Sequence, residues 1–146
     1  MTTHRASGFS LVELMAVLVI FSIMLAIGVP TYTTITGSQS LQGTTGNIAA
    51  QLKLAREKAI ATGSQQTMHF TLDYLDSDYH IHNGAYPDPK WNLPKRITYY
   101  WGSGTNSAYV FRTDGTCTAS GMVILQDTRG RRDTVIVQQS GMILVD

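Results

Sequence analysis

The hydrophobic and polar positions divide the chain into an apolar N-terminal block and a longer amphipathic remainder. Residues 9–29 are almost continuously apolar, and Glu13 is the one charged residue among them. As a helix rising 1.5 Å per residue, this block extends about 32 Å, which matches the hydrocarbon core of a bilayer. A soluble core helix does not need apolar side chains on every face, so the block is predicted to enter a membrane.

The polar leader before this block, residues 1–8, is weakly basic. The positive-inside rule therefore keeps the N-terminus in the cytoplasm and sends residues 31–146 across the membrane. A cleaved secretory signal has a shorter apolar core and a small-x-small site, and no such site follows near Val29. Glu13 has two interpretations. Either it flanks a shorter span that begins at Leu14, or a positive charge from another chain pairs with its carboxylate.

Two residues at the end of the apolar block, Gly28 and Pro30, favour a break in the helix. Proline lacks a backbone N–H and clashes with the preceding turn, so a kink or local melting is predicted there. The same two residues also fit a helix that simply ends at the membrane surface.

A second helical pattern follows a polar stretch rich in Thr and Ser. Its apolar positions recur at helical spacing on one stripe, formed by Leu41, Ile48, Leu52, Ala55 and Ala59. The pattern predicts a helix over residues 47–62 with Gly63 as its C-terminal cap. Gly43 and Gly46 weaken the prediction before residue 47.

From residue 66 onward the period of the pattern changes to two, which is typical of strands. Met68 and Phe70 alternate with His69 and Thr71 in the first of them. Strands are predicted at residues 66–74, 96–101, 109–112, 122–126, 134–138 and 142–145. Residues 83–94 hold three prolines and a glycine and are predicted to form a loop.

These patterns together predict an α+β fold, in which a long N-terminal hydrophobic helix packs on a C-terminal antiparallel β domain. The predicted organisation is a leader at residues 1–8 and a transmembrane or filament-core helix at residues 9–30. A linker and amphipathic helix follow at residues 31–63, and the globular β domain occupies residues 64–146.

The motif G-F-S-L-V-E-L-M at residues 8–15, followed by the apolar run, resembles the class III signal of type IV pilins and type II secretion pseudopilins. The resemblance implies a prepilin leader that is cleaved between Gly8 and Phe9 by a prepilin peptidase. It also implies N-methylation of Phe9. Glu13 would then pair with the Phe9 amine of a neighbouring subunit during assembly, and the low dielectric there makes a lost partner costly.

Later motifs narrow the resemblance to the minor pseudopilin H of type II secretion and the FimT-like minor pilins. They are L-K-L-A-R-E-K-A-I-A-T-G at residues 52–63 and, in the C-terminal part, V-F-R-T-D-G, G-M-V-I-L-Q-D and D-T-V-I-V-Q-Q-S-G-M-I-L-V. Two features depart from related groups. Major type IV pilins commonly carry a C-terminal disulfide, which the lone Cys117 excludes. FimT-like proteins implicated in DNA uptake tend to carry arginines in the last strand region, and residues 140–146 have none.

The resemblance implies a minor pseudopilin of the type II secretion pseudopilus, held in the bacterial inner membrane by a single pass with its β domain in the periplasm. The implied partners are other pilins or pseudopilins, the prepilin peptidase and an inner-membrane assembly platform. A minor type IV pilin for pilus assembly or DNA uptake is the alternative. A third interpretation is a signal-anchored periplasmic binding domain that never assembles.

Charge changes this interpretation little, because 11 Lys and Arg balance 10 Asp and Glu and the net charge is +1. Arg129, Arg131 and Arg132 form a small basic turn that offers a phosphate contact. Asp127 and Asp133 flank the turn and reduce its local charge. A solvated hairpin tip is therefore the favoured interpretation, with DNA contact as the alternative.

Two side-chain clusters have ligand types suited to a metal ion: the histidines His69, His80 and His82, and the aspartates Asp73, Asp76 and Asp78. Neither has the full ligand spacing of a known site, so surface histidines and a solvated turn are favoured. The chain also lacks the Gly-rich phosphate loop, G-x-S-x-G and H-E-x-x-H motifs. No metal, cofactor or enzymatic activity is predicted.

Overall fold

The computed structural model describes residues 10–74, 77–83 and 89–146. At residues 28–37 and 72–74 it describes the backbone only. One long helix, α1 (Leu11–Thr62), precedes strands that form two four-stranded sheets. The strands are β1 (Gln66–Tyr74), β2 (Ser77–His82), β3 (Lys90–Trp91), β4 (Ile97–Tyr99), β5 (Ala108–Phe111), β6 (Gly121–Asp127), β7 (Arg132–Val137) and β8 (Ile143–Val145). The helix followed by antiparallel sheets confirms the predicted α+β class.

The first sheet has the strand order β3-β2-β1-β5, and the second has the order β4-β6-β7-β8. Every neighbouring pair of these strands is antiparallel. In the first sheet His69 lies opposite His80, and Phe70 lies opposite Tyr79. This register decides which side chains share a face of the sheet.

The chain forms two compact units, residues 1–38 and residues 39–146, and α1 contributes to both. In the second unit the helix and both sheets share one hydrophobic core. The predicted stripe on α1 is buried there throughout, which confirms it: Leu41, Ile48, Leu52, Ala55 and Ala59. The two alanines let the helix lie close to the sheet side chains, because a small residue adds little thickness at the contact.

The predicted local melting at Gly28 and Pro30 is not observed, because α1 is one continuous helix from Leu11 to Thr62. A proline removes one backbone hydrogen bond from the ladder, and the turns on either side retain theirs. The loss of that single bond is small beside the many bonds of a 52-residue helix.

The helix also extends further toward the N-terminus than its glycines suggested. Thr44 and Thr45 donate their hydroxyls to the carbonyl oxygens of Ser40 and Leu41, at 2.8 and 3.0 Å. Both threonines are buried, and burial there outweighs the low helix propensity of the flanking glycines. The helix ends where predicted, at Gly63, which has a φ of 61° and can take the left-handed capping conformation.

The strand predictions are confirmed for β1 and, with shifted ends, for β4 to β8. The prediction missed β2 altogether, and the loop predicted at residues 83–94 contains the short strand β3. Tyr79 and Trp91 explain both errors. Their rings stack with centroids 5.4 Å apart across β2 and β3, a contact between distant residues that local periodicity does not reveal.

Candidate assembly surface

The part of α1 from residue 11 to residue 27, called here the apolar helix segment, is exposed on every side in the single chain. Each of its large apolar side chains is between 53% and 76% exposed. Full burial of one such side chain is worth about 1.5–3 kcal/mol. Apolar groups on all faces of a helix need an apolar environment on all faces, which one flat partner does not provide.

Within the described part of the chain, no helix has both the length and the hydropathy needed to cross a membrane.

Ser10 and Glu13 organise the start of the apolar helix segment. Ser10 is the residue just before the helix, and its side-chain oxygen accepts a hydrogen bond from the Glu13 backbone N–H at 3.2 Å. Serine with glutamate three residues later is the sequence of a capping box, a signal that the sequence analysis missed. The Glu13 carboxylate lies in the first helical turn, where the helix dipole favours a negative charge.

The one other polar residue of the segment is satisfied within the helix. Ser22 donates its hydroxyl to the carbonyl oxygen of Leu18 at 2.7 Å. A hydroxyl without a partner is costly in an apolar environment, and one bonded to its own helix is tolerated. Glu13 is therefore the group of this segment whose charge requires a compensating positive charge in apolar surroundings.

Known proteins resemble this chain in its N-terminal sequence and in its fold. The profile of the Prokaryotic N-terminal methylation motif matches residues 3–29. Two crystal forms of the type IV minor pilin FimU from Pseudomonas aeruginosa PAO1 share the fold, with TM-scores of 0.59 and 0.53 and sequence identities of 17% and 18%. The first aligns over 77% of this chain and 92% of FimU, and the second over 73% and 92%.

The minor pseudopilin EpsH from the type 2 secretion system of Vibrio cholerae has the same fold, with a TM-score of 0.51 and 13% identity. That alignment covers 73% of this chain and 96% of EpsH. No curated protein matches the chain significantly in sequence. The chain therefore has the fold of these minor pilins and of the pseudopilin, and its N-terminal segment matches the methylation motif. The predicted resemblance is confirmed at this level, which does not separate minor pilins from pseudopilins.

The predicted processing junction, Gly8 and Phe9, lies outside the described residues. Ser10 and Glu13 are therefore the parts of the G-F-S-L-V-E-L-M motif whose contacts are visible. They place the carboxylate in the first turn of α1, at its third residue.

The basic turn of the pilin-like domain is held by an aspartate. The Arg131 guanidinium binds the Asp127 carboxylate with nitrogen–oxygen distances of 2.6 and 2.7 Å. The other carboxylate oxygen accepts the backbone N–H groups of Arg129 and Arg131 at 2.9 Å each. Desolvation opposes ionisation of Asp127, but these contacts prevail and lower the pKa of its carboxyl. The turn joins β6 to β7 at a hairpin tip, as predicted.

Arg132 is also engaged within the domain. Its guanidinium carbon lies 3.5 Å from the centre of the Tyr100 ring, and its Nε donates to the Gln126 side chain at 3.2 Å. DNA contact was the less favoured interpretation of these three arginines, and two of their guanidinium groups, those of Arg131 and Arg132, are turned to neighbours in the domain. A phosphate would have to compete with those contacts.

Of the predicted aspartate cluster, Asp76 and the side chain of Asp73 lie outside the described residues. The Asp78 carboxylate accepts the Leu93 backbone N–H at 2.7 Å, and the Asp78 backbone N–H donates to the Asn92 side chain at 3.2 Å. These bonds give Asp78 a structural role in fixing the segment that follows β3.

The predicted histidine cluster does come together. The rings of His69, His80 and His82 lie with centroids 5.0 to 5.6 Å apart on the face of the first sheet turned away from the core. With Thr71 they line a cavity of about 430 Å³. Burial, and then the neighbouring imidazoles, lower the pKa of His69 and of His80 below the ordinary histidine value. Cys117, by contrast, is a free thiol buried in the core.

Proposed function

We propose that this chain is a minor subunit of a pilin-like filament, assembled through its apolar helix segment, and that the filament is the pseudopilus of a type II secretion system. The observation that carries the proposal is the exposure of residues 11–27 on every face. Two environments satisfy such a helix. They are the bilayer before assembly and a bundle of like helices after it.

The proposed cleavage site is consistent with the residue at which α1 begins. Cleavage between Gly8 and Phe9 leaves two residues ahead of α1, which begins at Leu11. The new amine would be a positive charge next to the positive end of the helix dipole, which is unfavourable without a nearby anion. N-methylation of Phe9 keeps a basic amine, so the need for an anion persists.

Glu13 supplies that anion, and we assign it to the Phe9 amine of a neighbouring subunit. A carboxylate inside an apolar helix costs about 2.5–3.5 kcal/mol at the bilayer centre, and less near the interface. Pairing with an amine from the next subunit would offset part of this cost and set how far each helix is inserted beside its neighbour. The inner membrane and its assembly platform are the setting in which this pairing would form.

A type IV pilus is the second candidate filament, and the likeness to FimU at a TM-score of 0.59 favours it. DNA uptake through the basic turn receives less support, because Arg131 already binds Asp127. A salt-dependent gel shift with the full chain in detergent tests DNA contact, with Arg129→Ala as the variant that leaves the Arg131 ion pair intact. Absence of a shift at low salt would remove the DNA alternative.

The intact mass of the protein from host membranes tests the class of subunit. We expect a mass that lacks residues 1–8 and carries one added methyl group in cells with the prepilin peptidase. We expect the full-length mass in cells without it. A chain that begins at Met1 in both strains would contradict the proposal and support a signal anchor that never assembles.

Deletion of the chain from its host separates the two filaments. Loss of extracellular secretion with normal surface pili supports the pseudopilus. Loss of surface pili with normal secretion overturns the pseudopilus and supports the minor type IV pilin. Complementation with the intact chain controls for effects on neighbouring genes.

A further inference from the structure

Three of the four histidines in the chain lie on one face of the first sheet. His69 on β1 is directly opposite His80 on β2, and His82 follows two residues later on the same face. The other face of these two strands belongs to the core: Met68, Phe70, Tyr79 and Ile81. The register that buries the core face therefore also gathers the histidines, since a slip of one residue would exchange the faces.

The three rings form a nearly equilateral triangle. Their centroids are 5.5 Å apart for His69 and His80, 5.0 Å for His69 and His82, and 5.6 Å for His80 and His82. In a tetrahedral zinc site a metal–nitrogen distance of about 2.0–2.1 Å places ring centroids about 3.2 Å from the ion and about 5 Å from each other. The histidine triangle has the spacing that three imidazoles need in order to share one ion.

The ring nitrogens do not converge in this conformation. The rings of His69 and His80 are stacked within 3° of parallel, so their in-plane lone pairs do not meet. Over residues 10–74, 77–83 and 89–146, no group of three His, Cys, Asp or Glu side chains is arranged to hold a metal ion. Metal binding would require rotation about χ2 of at least one ring. That torsion is soft in histidine, and a cavity of about 430 Å³ adjoins the rings.

We propose that His69, His80 and His82 bind one divalent transition-metal ion of the zinc type, each through one ring nitrogen. Imidazole nitrogens suit Zn²⁺ and Cu²⁺, whereas Mg²⁺ and Ca²⁺ prefer sites built from oxygen ligands. A water molecule from the cavity would complete a tetrahedron around the ion. The ion would join β1 to β2 on the face opposite the core.

The surroundings of the cluster are compatible with a bound cation. Lys90 on β3 lies opposite His80 in register, and its charge opposes a cation there. Lys90 is exposed, so its flexible side chain can carry the ammonium group into solvent. Ala108 on β5 is the neighbour of His69 on the other side and adds no charge.

The test is a zinc titration of the full-length chain in detergent, purified without a polyhistidine tag, against a chromophoric chelator. The variants are His69→Gln and His82→Gln, because both side chains are half-buried and tolerate substitution better than the buried His80. His4→Gln is the matched control, since His4 is the one histidine outside the cluster. Circular dichroism without metal verifies that each variant is folded.

We expect one zinc ion per chain at micromolar free zinc or below. Loss of an outer-shell partner costs about 10–100-fold in metal affinity, so loss of one ligand is expected to cost at least tenfold. His4→Gln is expected to bind like the wild type. Zinc is expected to raise the melting temperature of the wild type and of His4→Gln, and to raise it less in the two cluster variants, because the native state binds the ion.

Cobalt replacement gives a second readout. The visible spectrum of bound Co²⁺ reports tetrahedral nitrogen coordination, and it is expected for the wild type and lost in His69→Gln. No saturable zinc binding by the folded wild type would overturn the proposal. Equal weakening by His4→Gln, or undiminished binding by both cluster variants, would overturn it as well. In that case the three rings would serve packing alone.

Discussion

Replacement of Glu13 tests whether its carboxylate serves a neighbouring subunit or only its own helix end. Two variants separate these roles. Glu13→Gln keeps a side chain of similar size and hydrogen-bonding capacity at the third helical position, and it removes the charge. Ser10→Ala removes the hydroxyl that accepts the Glu13 backbone N–H at 3.2 Å, and it keeps the charge. Both residues are exposed in the single chain, so neither variant disturbs the core.

The two effects differ in size. Loss of a serine N-cap costs about 1 kcal/mol of helix stability, which is about a fivefold change in an equilibrium. Removal of one member of a buried ion pair costs about 3–5 kcal/mol, because the other charge is left without a partner. At 1.4 kcal/mol per factor of ten, the second effect exceeds a hundredfold. Glu13→Gln is therefore expected to be far more damaging to assembly than Ser10→Ala.

The assay compares the amount of protein in sheared filaments with the amount in the membrane for each variant, by quantitative immunoblot. Intact mass provides the control, because cleavage and methylation are expected to proceed normally in both variants. Incorporation of Glu13→Gln at the wild-type level would refute the pairing with the Phe9 amine. A defect in Ser10→Ala as severe as that in Glu13→Gln would show that the helix end, and not the charge, limits assembly.

Other predictions concern the globular unit. Leu52→Ala is expected to lower the free energy of unfolding by about 2–5 kcal/mol, because its side chain is fully buried. Leu54→Ala is its control on the same helix, because the Leu54 side chain is 41% exposed, and a change of at most about 0.5 kcal/mol in the free energy of unfolding is expected. Urea denaturation measures both variants. Equal losses would contradict the packing of α1. The lowered pKa of Asp127 means that the unfolded chain binds its proton more readily. The stability that this carboxylate provides is therefore present above its unfolded pKa of about 3.9 and is lost as the pH falls through the lower folded value. Asp127→Asn is expected to reduce the melting temperature near neutral pH and to weaken its fall in acid, and an unchanged acid dependence would count against the ion pair. Gly141→Ala is expected to destabilise, because φ is 79° and an added Cβ would overlap a backbone carbonyl oxygen. Gly43→Ala, in an open part of α1, is expected to stabilise the fold by about 0.5–1 kcal/mol. Thermal unfolding should therefore show a raised melting temperature for Gly43→Ala and a lowered one for Gly141→Ala.

The sequence predicted those features of the fold that a repeating pattern records directly. The stripe from Leu41 to Ala59 has the period of a helix, and its burial follows from that period. The continuity of α1 was not predictable in the same way. Intrinsic propensity favours an end near Gly43 and Gly46, and the burial of Thr45 and Ile48 in the core reverses that preference.

The histidine cluster shows a different limit. Spacing indicated that His80 and His82 share a face, because they are two residues apart on an extended chain. It did not indicate that His69 lies opposite His80, since that depends on the register between β1 and β2. The strand β2 was itself missed, although Tyr79 and Ile81 alternate with polar residues along it, because the segment is short and its pairing partners are distant in sequence. The capping box at Ser10 and Glu13, in contrast, is a local signal and was available from the sequence.

In the single chain the two parts of α1 differ in how they treat their apolar side chains, and under the proposed function this division suits the chain to assembly. In the globular unit the stripe that includes Leu52 and Ala55 is buried in a core built from the same chain. The apolar helix segment, residues 11–27, has no such cover in the single chain. Under the proposed function, the segment would exchange lipid for neighbouring helices while the globular unit, which has its own core, stays folded. Substitutions in the segment should alter assembly with little effect on unfolding of the domain, and substitutions such as Leu52→Ala should do the reverse. A segment variant that unfolded the domain would contradict this separation.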